Sequence, residues 1–448
     1  MNNATRIAFI SEHASPLARV GGTDAGGQNV YVDELSRQLG ECGYLVDIFT
    51  RRDSPAQPEI VNWTPGVRVI HLAAGSPRFF AKDRLWPFMP TFRDSLLHFM
   101  LREEIYYDLV HGHFWMSGWV ATELQRLRHI PCVQLFHATG KTKQRYQQAA
   151  DSSPRERIPV ELAVVRQADR LIAQCPAERN ELLHDYGADP EKIALIPGAV
   201  NTHTFYPVER AVARQQLGLA QDGHVIVYVG RILPRKDIRN VVRALERLIN
   251  QYAPGQDDTP VTLLIVGGET EDADPRATPE IGVLQNLARE LGVEKHVRFV
   301  GKRQPEVLRY YYSAGDVTVT TPWYEPFGLT PLEAMACGRP VIGSTVGGIR
   351  YTVVEGQTGL LVQPRDPEML AARLYELLTN QERSARMGEA ARLRAEQEFT
   401  WAVTARRTAS LYETLIADRT TRTVVPLWSS QLTRPALLDG HSLRGSNW

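Results

Sequence analysis

Short runs of β-branched and aliphatic residues alternate with longer stretches of helical period along almost the whole chain. The first series of runs falls at residues 7–10, 45–49, 67–72, 109–111, 132–136 and 171–173. Several are apolar throughout rather than alternating, which is the pattern of strands covered on both faces. Between them, residues 31–39 place Tyr31, Leu35 and Leu39 at helical spacing, and residues 116–127 read the same way. Strands alternating with helices predict a parallel sheet flanked by helices.

A second series follows the Pro- and Gly-marked passage from Ile196-Pro197-Gly198 to Pro207, with runs at 225–229, 263–266, 297–300, 317–320, 341–343 and 360–362. The expectation is an α/β chain of two doubly wound parallel-sheet domains, joined near residues 200–222. The first spans residues 1–205 and the second 206–398, with a closing helix and an irregular tail over 399–448. Helices are expected at 367–378, 382–399 and 401–416, whereas 419–448 carries Pro426, Pro435, Gly440 and Gly445 without a period. Ligands of such sheets bind beyond the carboxyl ends of the strands, so two facing sheets make a cleft, and chemistry belongs in the loops after strands.

Composition narrows the choice of ligand. The 448 residues suffice for two full cores. The 51 Lys and Arg balance 51 Asp and Glu, so there is no overall field to hold the chain on nucleic acid or an anionic membrane, and neither is expected as a partner. Attraction to phosphate must be local. Cys42, Cys132, Cys175 and Cys337 stand far apart, with no spacing that suggests a metal site, and a reduced, cytoplasmic setting is expected. The N-terminus has no signal-like segment, and no apolar run approaches the ~20 residues needed to cross a bilayer.

Three loops after strands carry candidate chemistry. Gly21-Gly22-Thr23-Asp24-Ala25-Gly26-Gly27-Gln28 lies between the first strand and the first helix, where glycines let backbone N–H groups approach an anion. The spacing is not G-x-G-x-x-G, and no acidic residue ends the second strand, so the pattern does not match a dinucleotide fold, although Arg51-Arg52 would suit a 2′-phosphate. By itself the loop reads equally as a turn. The run at 225–229 leads into Gly230-Arg231-Ile232-Leu233-Pro234-Arg235-Lys236-Asp237, three cations suited to a diphosphate or else a solvated basic turn. The run at 317–320 is followed by Tyr324-Glu325-Pro326-Phe327-Gly328-Leu329-Thr330-Pro331-Leu332-Glu333. A helix opening near Gly328 points free N–H groups at the cleft, and a carboxylate there accepts from paired sugar hydroxyls or complements the helix dipole. The placement of all three loops after strands favours a shared site.

These three motifs together resemble the retaining nucleotide-sugar glycosyltransferases of the two-Rossmann, GT-B type. The resemblance rests on the E-x7-E run from Glu325 to Glu333, on Gly230-Arg231 with Lys236, and on Gly26-Gly27, and it covers residues 6–416. It implies a nucleotide sugar as donor with no cofactor or metal required. Arg231 and Lys236 would neutralise the diphosphate, Glu333 would bind the ribose, and Gly27 would approach the donor. Glu325, with the backbone of Phe327, Gly328, Leu329 and Thr330, would hold the transferred sugar and β-phosphate. His137 would line the sugar pocket near the reacting centre. His111-Gly112-His113 and Asp272-Ala273-Asp274 look superficially metal-binding, but the first lacks a third ligand and the second lies in an acidic loop.

The first domain bears on the acceptor. Residues 26–32, 80–88 and 137–143 resemble segments of the sucrose-phosphate synthases, which implies glucose transfer, with UDP-glucose as the expected donor, to fructose 6-phosphate. In that reading Lys82, Lys143 and Arg157 would contact the acceptor phosphate, with Gly26 and Gln28 against its sugar. Lys143 and Arg157, with Lys141, Arg145 and Arg155, read alternatively as exposed surface. Ala138 departs from the serine common at that place, and Asp24-Ala25-Gly26-Gly27 with Asn29-Val30-Tyr31 is shared with inositol-phosphate N-acetylglucosaminyltransferases. Nothing after Phe399 resembles the phosphatase domain fused to some sucrose-phosphate synthases, nor is their relatives' long N-terminal extension seen, so a separate phosphatase is an expected partner. Two other classes stay open: a GT-B sugar-nucleotide epimerase, against which the Glu325 to Glu333 pattern speaks, and a catalytically silent binding protein, against which the presence of Arg231, Lys236 and Glu333 speaks.

Overall fold

The structure is a computed structural model and describes residues 4–18, 26–252 and 260–423, without the side chains of 420–423. Two sheets organise it. The first contains β1 (Arg6–Ile10), β2 (Leu45–Arg51), β3 (Ile60–Thr64), β4 (Val67–Leu72), β5 (Leu109–His113), β6 (Cys132–Leu135), β7 (Arg170–Ala173) and β8 (Ile193–Leu195). Their order is β3-β4-β2-β1-β5-β6-β7-β8, parallel except for β3 against β4. The second contains β9 (His224–Val229), β10 (Val261–Val266), β11 (Val297–Gly301), β12 (Val317–Thr320), β13 (Val341–Ser344) and β14 (Gly359–Val362), in the order β11-β10-β9-β12-β13-β14. Every pairing in the second sheet is parallel.

The unbroken apolar runs have the expected cause. In β1, Ile7 and Phe9 pack into one buried cluster with Tyr31, Val32, Leu35 and Leu39, while Ala8 and Ile10 face another with Phe92, Leu96 and Val120. In β9, Val225, Val227 and Val229 face one core and Ile226 and Tyr228 the other. Each strand is thus covered on both faces, as helices on both sides of a parallel sheet require. Both sheets reverse strand order beside their first strand, between β1 and β5 and between β9 and β12, which opens a crevice at the carboxyl ends.

Two strands were not expected. β3 is antiparallel and half-exposed, and β8 has three residues. The closing helix begins where predicted but runs over Trp401–Thr423, so residues 419–423 are helical rather than irregular, and 424–448 lie outside the described residues. This helix returns to the first domain. Trp401 meets Tyr31 edge-on at 5.4 Å, Tyr44 donates to Glu413 at 3.0 Å, and Arg419 donates to the His129 carbonyl at 2.6 Å. Among the described residues no helix is long and apolar enough to cross a membrane.

Candidate active site

One wall of the crevice is built on the carboxyl end of β9. Gly230, at φ 150°, turns the chain sharply, and Tyr228 donates to the Arg231 carbonyl at 3.0 Å. A Cβ on Gly267 would lie 1.9 Å from the Gly230 carbonyl oxygen, so the loop after β10 is pressed against this turn and tolerates only glycine there. A single turn, Pro234–Lys236, then aims Lys236 inward, and Asp237 adopts a left-handed conformation to start the following helix. Lys236 forms an ion pair with Glu325, the two side chains being 14% and 15% exposed. Burial pulls the Lys236 ammonium down from the lysine range while Glu325 opposes it. Burial pushes the Glu325 carboxyl up, but Lys236 and Arg235 outweigh this and hold it below its usual range. We read the pair as ionised, because the carboxylate lies between two cations. Arg235 stands over the Tyr324 ring at 5.4 Å.

The loop after β12 forms the floor. Gly328, at φ 90°, caps the helix Leu329–Ala336, whose first-turn N–H groups have no partners within the helix and carry its positive dipole end. Gly347 and Gly348 support this loop from below. A Cβ on Gly347 would fall 1.8 Å from the Glu325 carbonyl oxygen, and one on Gly348 2.1 Å from that of Phe327, while the Gly348 N–H donates to the Glu325 carbonyl at 3.1 Å. The Phe327 ring is buried against Gly198 of the other domain, leaving backbone to face the crevice. About one turn along the helix, Glu333 accepts from the Tyr312 hydroxyl at 2.6 Å. Burial raises its carboxyl to about 7.

The opposite wall comes from the first domain. Gly27 opens the helix Gly27–Glu41, and a Cβ there would touch Leu329 at 3.5 Å, so the two domains approach closely at this point. Residues 19–25, with the rest of the glycine motif, lie outside the described residues. The Gly26 N–H donates to Asn29 Oδ1 at 2.9 Å, and the Gln28 amide donates to Ser11 Oγ and the His113 carbonyl, both at 3.2 Å. His137 sits just past β6 at φ 58°, its Nε2 3.2 Å from His113 Nδ1. His113 lies tilted against His111 with ring centres 4.1 Å apart, and His111 Nδ1 lies 2.6 Å from the Tyr412 hydroxyl of the closing helix. Burial pushes His137 and His111 down to about 3, and burial with help from its two neighbours holds His113 well below the usual histidine range, so the three imidazoles are neutral.

Between the walls is a cavity of about 380 Å³, lined by Gly26, Gly27, Gln28, Tyr31, His137, Gln174, Gly230, Arg231, Lys236, Gly267, Thr278, Glu325, Gly328, Thr330 and Glu333 among others. That volume lies in the ~300–1,000 Å³ range of small-molecule pockets. Cations, an open helix start and a carboxylate on one side face a neutral imidazole and a glycine turn on the other. Among the described residues no three His, Cys, Asp or Glu side chains form a metal-holding group.

Residues 25–204 match the model of Glycosyltransferase Family 4, and residues 209–394 that of Glycosyl transferases group 1. A D-inositol 3-phosphate glycosyltransferase of Corynebacterium glutamicum is 37% identical over 417 residues, covering 92% of this chain and 97% of the relative. The chain belongs to the group 1 glycosyltransferases. A further D-inositol 3-phosphate glycosyltransferase, from Kineococcus radiotolerans, is 39% identical over 429 residues, 93% of this chain and 97% of that one. Among solved structures, sucrose-phosphate synthase from Thermosynechococcus elongatus superposes with a TM-score of 0.82 at 35% identity, covering 92% of this chain and all of the other. The fold is GT-B.

In this glycosyltransferase the residues expected on the donor side, Arg231, Lys236, Glu325, Phe327, Gly328, Leu329, Thr330 and Glu333, are gathered on one wall, with Gly27 and His137 across from them. The acceptor cations are placed differently. Lys82, Lys143 and Arg157 are not in the cavity lining. The alternative reading of Arg157 as exposed surface is also corrected, since Arg157 is 2% exposed. It pairs with Glu161 at 2.8 Å, donates to the Ala138 carbonyl at 2.6 Å and lies over Phe114 at 5.0 Å. Glu161 in turn accepts the Gly140 N–H, so the Arg157 guanidinium braces the turn after His137 from behind. Lys143 is paired with Asp151 and Asp83. Arg51, considered for a 2′-phosphate, is buried and donates to the carbonyls of Ala74, Ser76 and Arg78, shaping the loop that carries Lys82. Sequence reasoning missed Gln174, Gly267, Gly268, Thr278, Gly347 and Gly348. The Gly-Gly pairs after β10 and after β13 were the available signal, because a backbone without side chains beyond a strand permits close approach.

Proposed function

We propose that this enzyme transfers a hexosyl group, with retention and without a metal, from a nucleoside diphosphate sugar to a phosphorylated polyhydroxyl acceptor. The observation that carries the donor half is the single cavity in which Arg231, Lys236, the start of the helix Leu329–Ala336 and Glu333 face His137. Loss of the sugar leaves a diphosphate whose new charge needs fixed positive partners, and removal of one such group typically costs ~10²–10³ in turnover. Lys236 and Arg231 supply cations and the helix start supplies N–H groups. In the structure Glu325 compensates Lys236. A bound diphosphate takes over that ammonium, which releases the Glu325 carboxylate to accept from hydroxyls of the transferred sugar. Glu333 accepts the ribose hydroxyls. His137, neutral, offers an uncharged hydrogen-bonding edge to the sugar at the reacting centre.

For the acceptor, fructose 6-phosphate is our first reading, giving sucrose 6-phosphate from UDP-glucose. It is supported by residues 80–88 and 137–143 and by the superposition on sucrose-phosphate synthase. Inositol phosphate is the second reading, supported by two relatives of 37% and 39% identity. The test is nucleotide release with UDP-, ADP- and GDP-linked glucose and UDP-GlcNAc crossed against fructose 6-phosphate, inositol 3-phosphate, fructose and inositol. Release dependent on a phosphorylated acceptor is expected. Turnover that is equal with and without the acceptor phosphate would overturn the reading.

A further inference from the structure

The surroundings of Lys143 bear on which acceptors are admitted, given the phosphorylated-acceptor reading above. Lys143 Nζ lies 3.0 Å from Asp151 Oδ1 and 3.7 Å from Asp83 Oδ2, and it donates to Ser153 Oγ at 3.0 Å. Its side chain is 15% exposed and that of Asp151 13%, so the pair sits at the protein boundary with little water around it. Burial pushes the Asp151 carboxyl up, but the Ser153 hydrogen bonds and the Lys143 ammonium outweigh it and keep the group below its usual range. Arg157, the neighbouring cation, shares Ser153 Oγ at 3.2 Å and is already matched by Glu161. Lys143 and Arg157 thus stand among three carboxylates, those of Asp83, Asp151 and Glu161. A phosphate dianion arriving here meets no net positive charge unless a carboxylate leaves.

Asp151 is the carboxylate built to leave. It lies in the connection between the turn Gln148–Ala150 and the helix Arg157–Gln167, whereas Glu161 is inside that helix and fully buried. A carboxylate and a phosphate compete for one ammonium and repel each other if both stay. We propose that Asp151 is a specificity-determining residue, which occupies Lys143 as an internal substitute for the acceptor phosphate and is displaced by it. A dianionic acceptor replaces the lost pair with a stronger one. A neutral sugar breaks the Lys143–Asp151 pair with nothing in return, so the contact discriminates against unphosphorylated acceptors.

Asp151→Asn tests this, because asparagine retains an oxygen to accept the Ser153 N–H and removes only the charge. With the purified full-length enzyme, inorganic phosphate is the probe, titrated calorimetrically and as an inhibitor competitive with acceptor. Its affinity is expected to rise roughly two- to fivefold in Asp151→Asn, as for loss of one part-exposed pair. The KM of whichever phosphorylated acceptor supports turnover is expected to fall in parallel, with the donor KM unchanged. Unchanged or weaker phosphate binding, or a raised acceptor KM, would overturn the proposal and leave Asp151 as a residue that merely orders Lys143. Asp151→Ser, which also accepts the Ser153 N–H, gives the same reading if the Asn variant fails to fold. Lys143→Ala separates the two levels. If it leaves phosphate binding and acceptor KM unaltered, the phosphorylated-acceptor assignment of Lys143 fails. If it weakens both while Asp151→Asn strengthens neither, only the displacement fails.

Discussion

The carboxyl of Glu333 offers a quantitative test of the donor site. Burial raises it from an ordinary 4.5 to about 7, with the Tyr312 hydroxyl as a counteracting partner. A pair of ribose hydroxyls donates best to the ionised form, so donor binding requires a proton to leave and the apparent affinity is scaled by the ionised fraction. With a value near 7, that fraction rises from about 0.09 at pH 6 to about 0.91 at pH 8, so donor kcat/KM is expected to climb about tenfold over this interval. A nucleotide sugar has no ionisation of its own there, both phosphates being esterified, which leaves the slope to the protein. Glu333→Gln should flatten the profile near its low-pH level. The linkage has the opposite sign for stability. The folded carboxyl holds its proton where the unfolded one has lost it, so stability without donor falls as pH rises from about 4.5 through about 7. The assay is the pH dependence of donor kcat/KM at saturating acceptor, with a thermal melt at each pH. A flat wild-type profile, or a slope retained by Glu333→Gln, would refute the reasoning.

Other predictions follow from single contacts. Lys236→Ala should reduce turnover ~10²–10³-fold while the protein still folds, and near-normal turnover would remove the diphosphate role. Arg157→Met leaves the buried Glu161 carboxylate without its partner and should lower unfolding stability by ~3–5 kcal/mol in urea titrations, so an unchanged midpoint would contradict the structural pair. Gly348→Ala forces a Cβ toward the Phe327 carbonyl and should cost ~1–3 kcal/mol of stability and raise the donor KM, whereas an unaltered KM would show that the loop does not depend on this support.

Much of this arrangement is legible in the chain because parallel strands buried on both faces leave continuous apolar runs. β1 and β9 show that signal plainly, whereas β3, with Asn62 exposed and its neighbours half-covered, has no clean period, and β8 is too short to show one. Arg231, Lys236, Glu325 and Glu333 were legible since their loops follow such runs directly. Gly347 and Gly348 were not, because a glycine pair reads equally as an ordinary turn. The fate of Arg157 had one local cue, Glu161 four residues on, which is helical pairing distance. Lys143 had none for Asp83, since that partner is brought to it by the loop after β4 rather than by sequence proximity.

The return of the helix Trp401–Thr423 to the first domain means that the chain passes between domains twice. The two passages are bonded side by side, the Val200 N–H donating to the Phe399 carbonyl at 2.8 Å. Two bonded crossings side by side restrict how the domains move relative to each other more than one crossing would. Cutting the chain after residue 398 would sever one tether and uncover Tyr31 and His111 where Trp401 and Tyr412 now rest, so neither domain is a self-contained fragment.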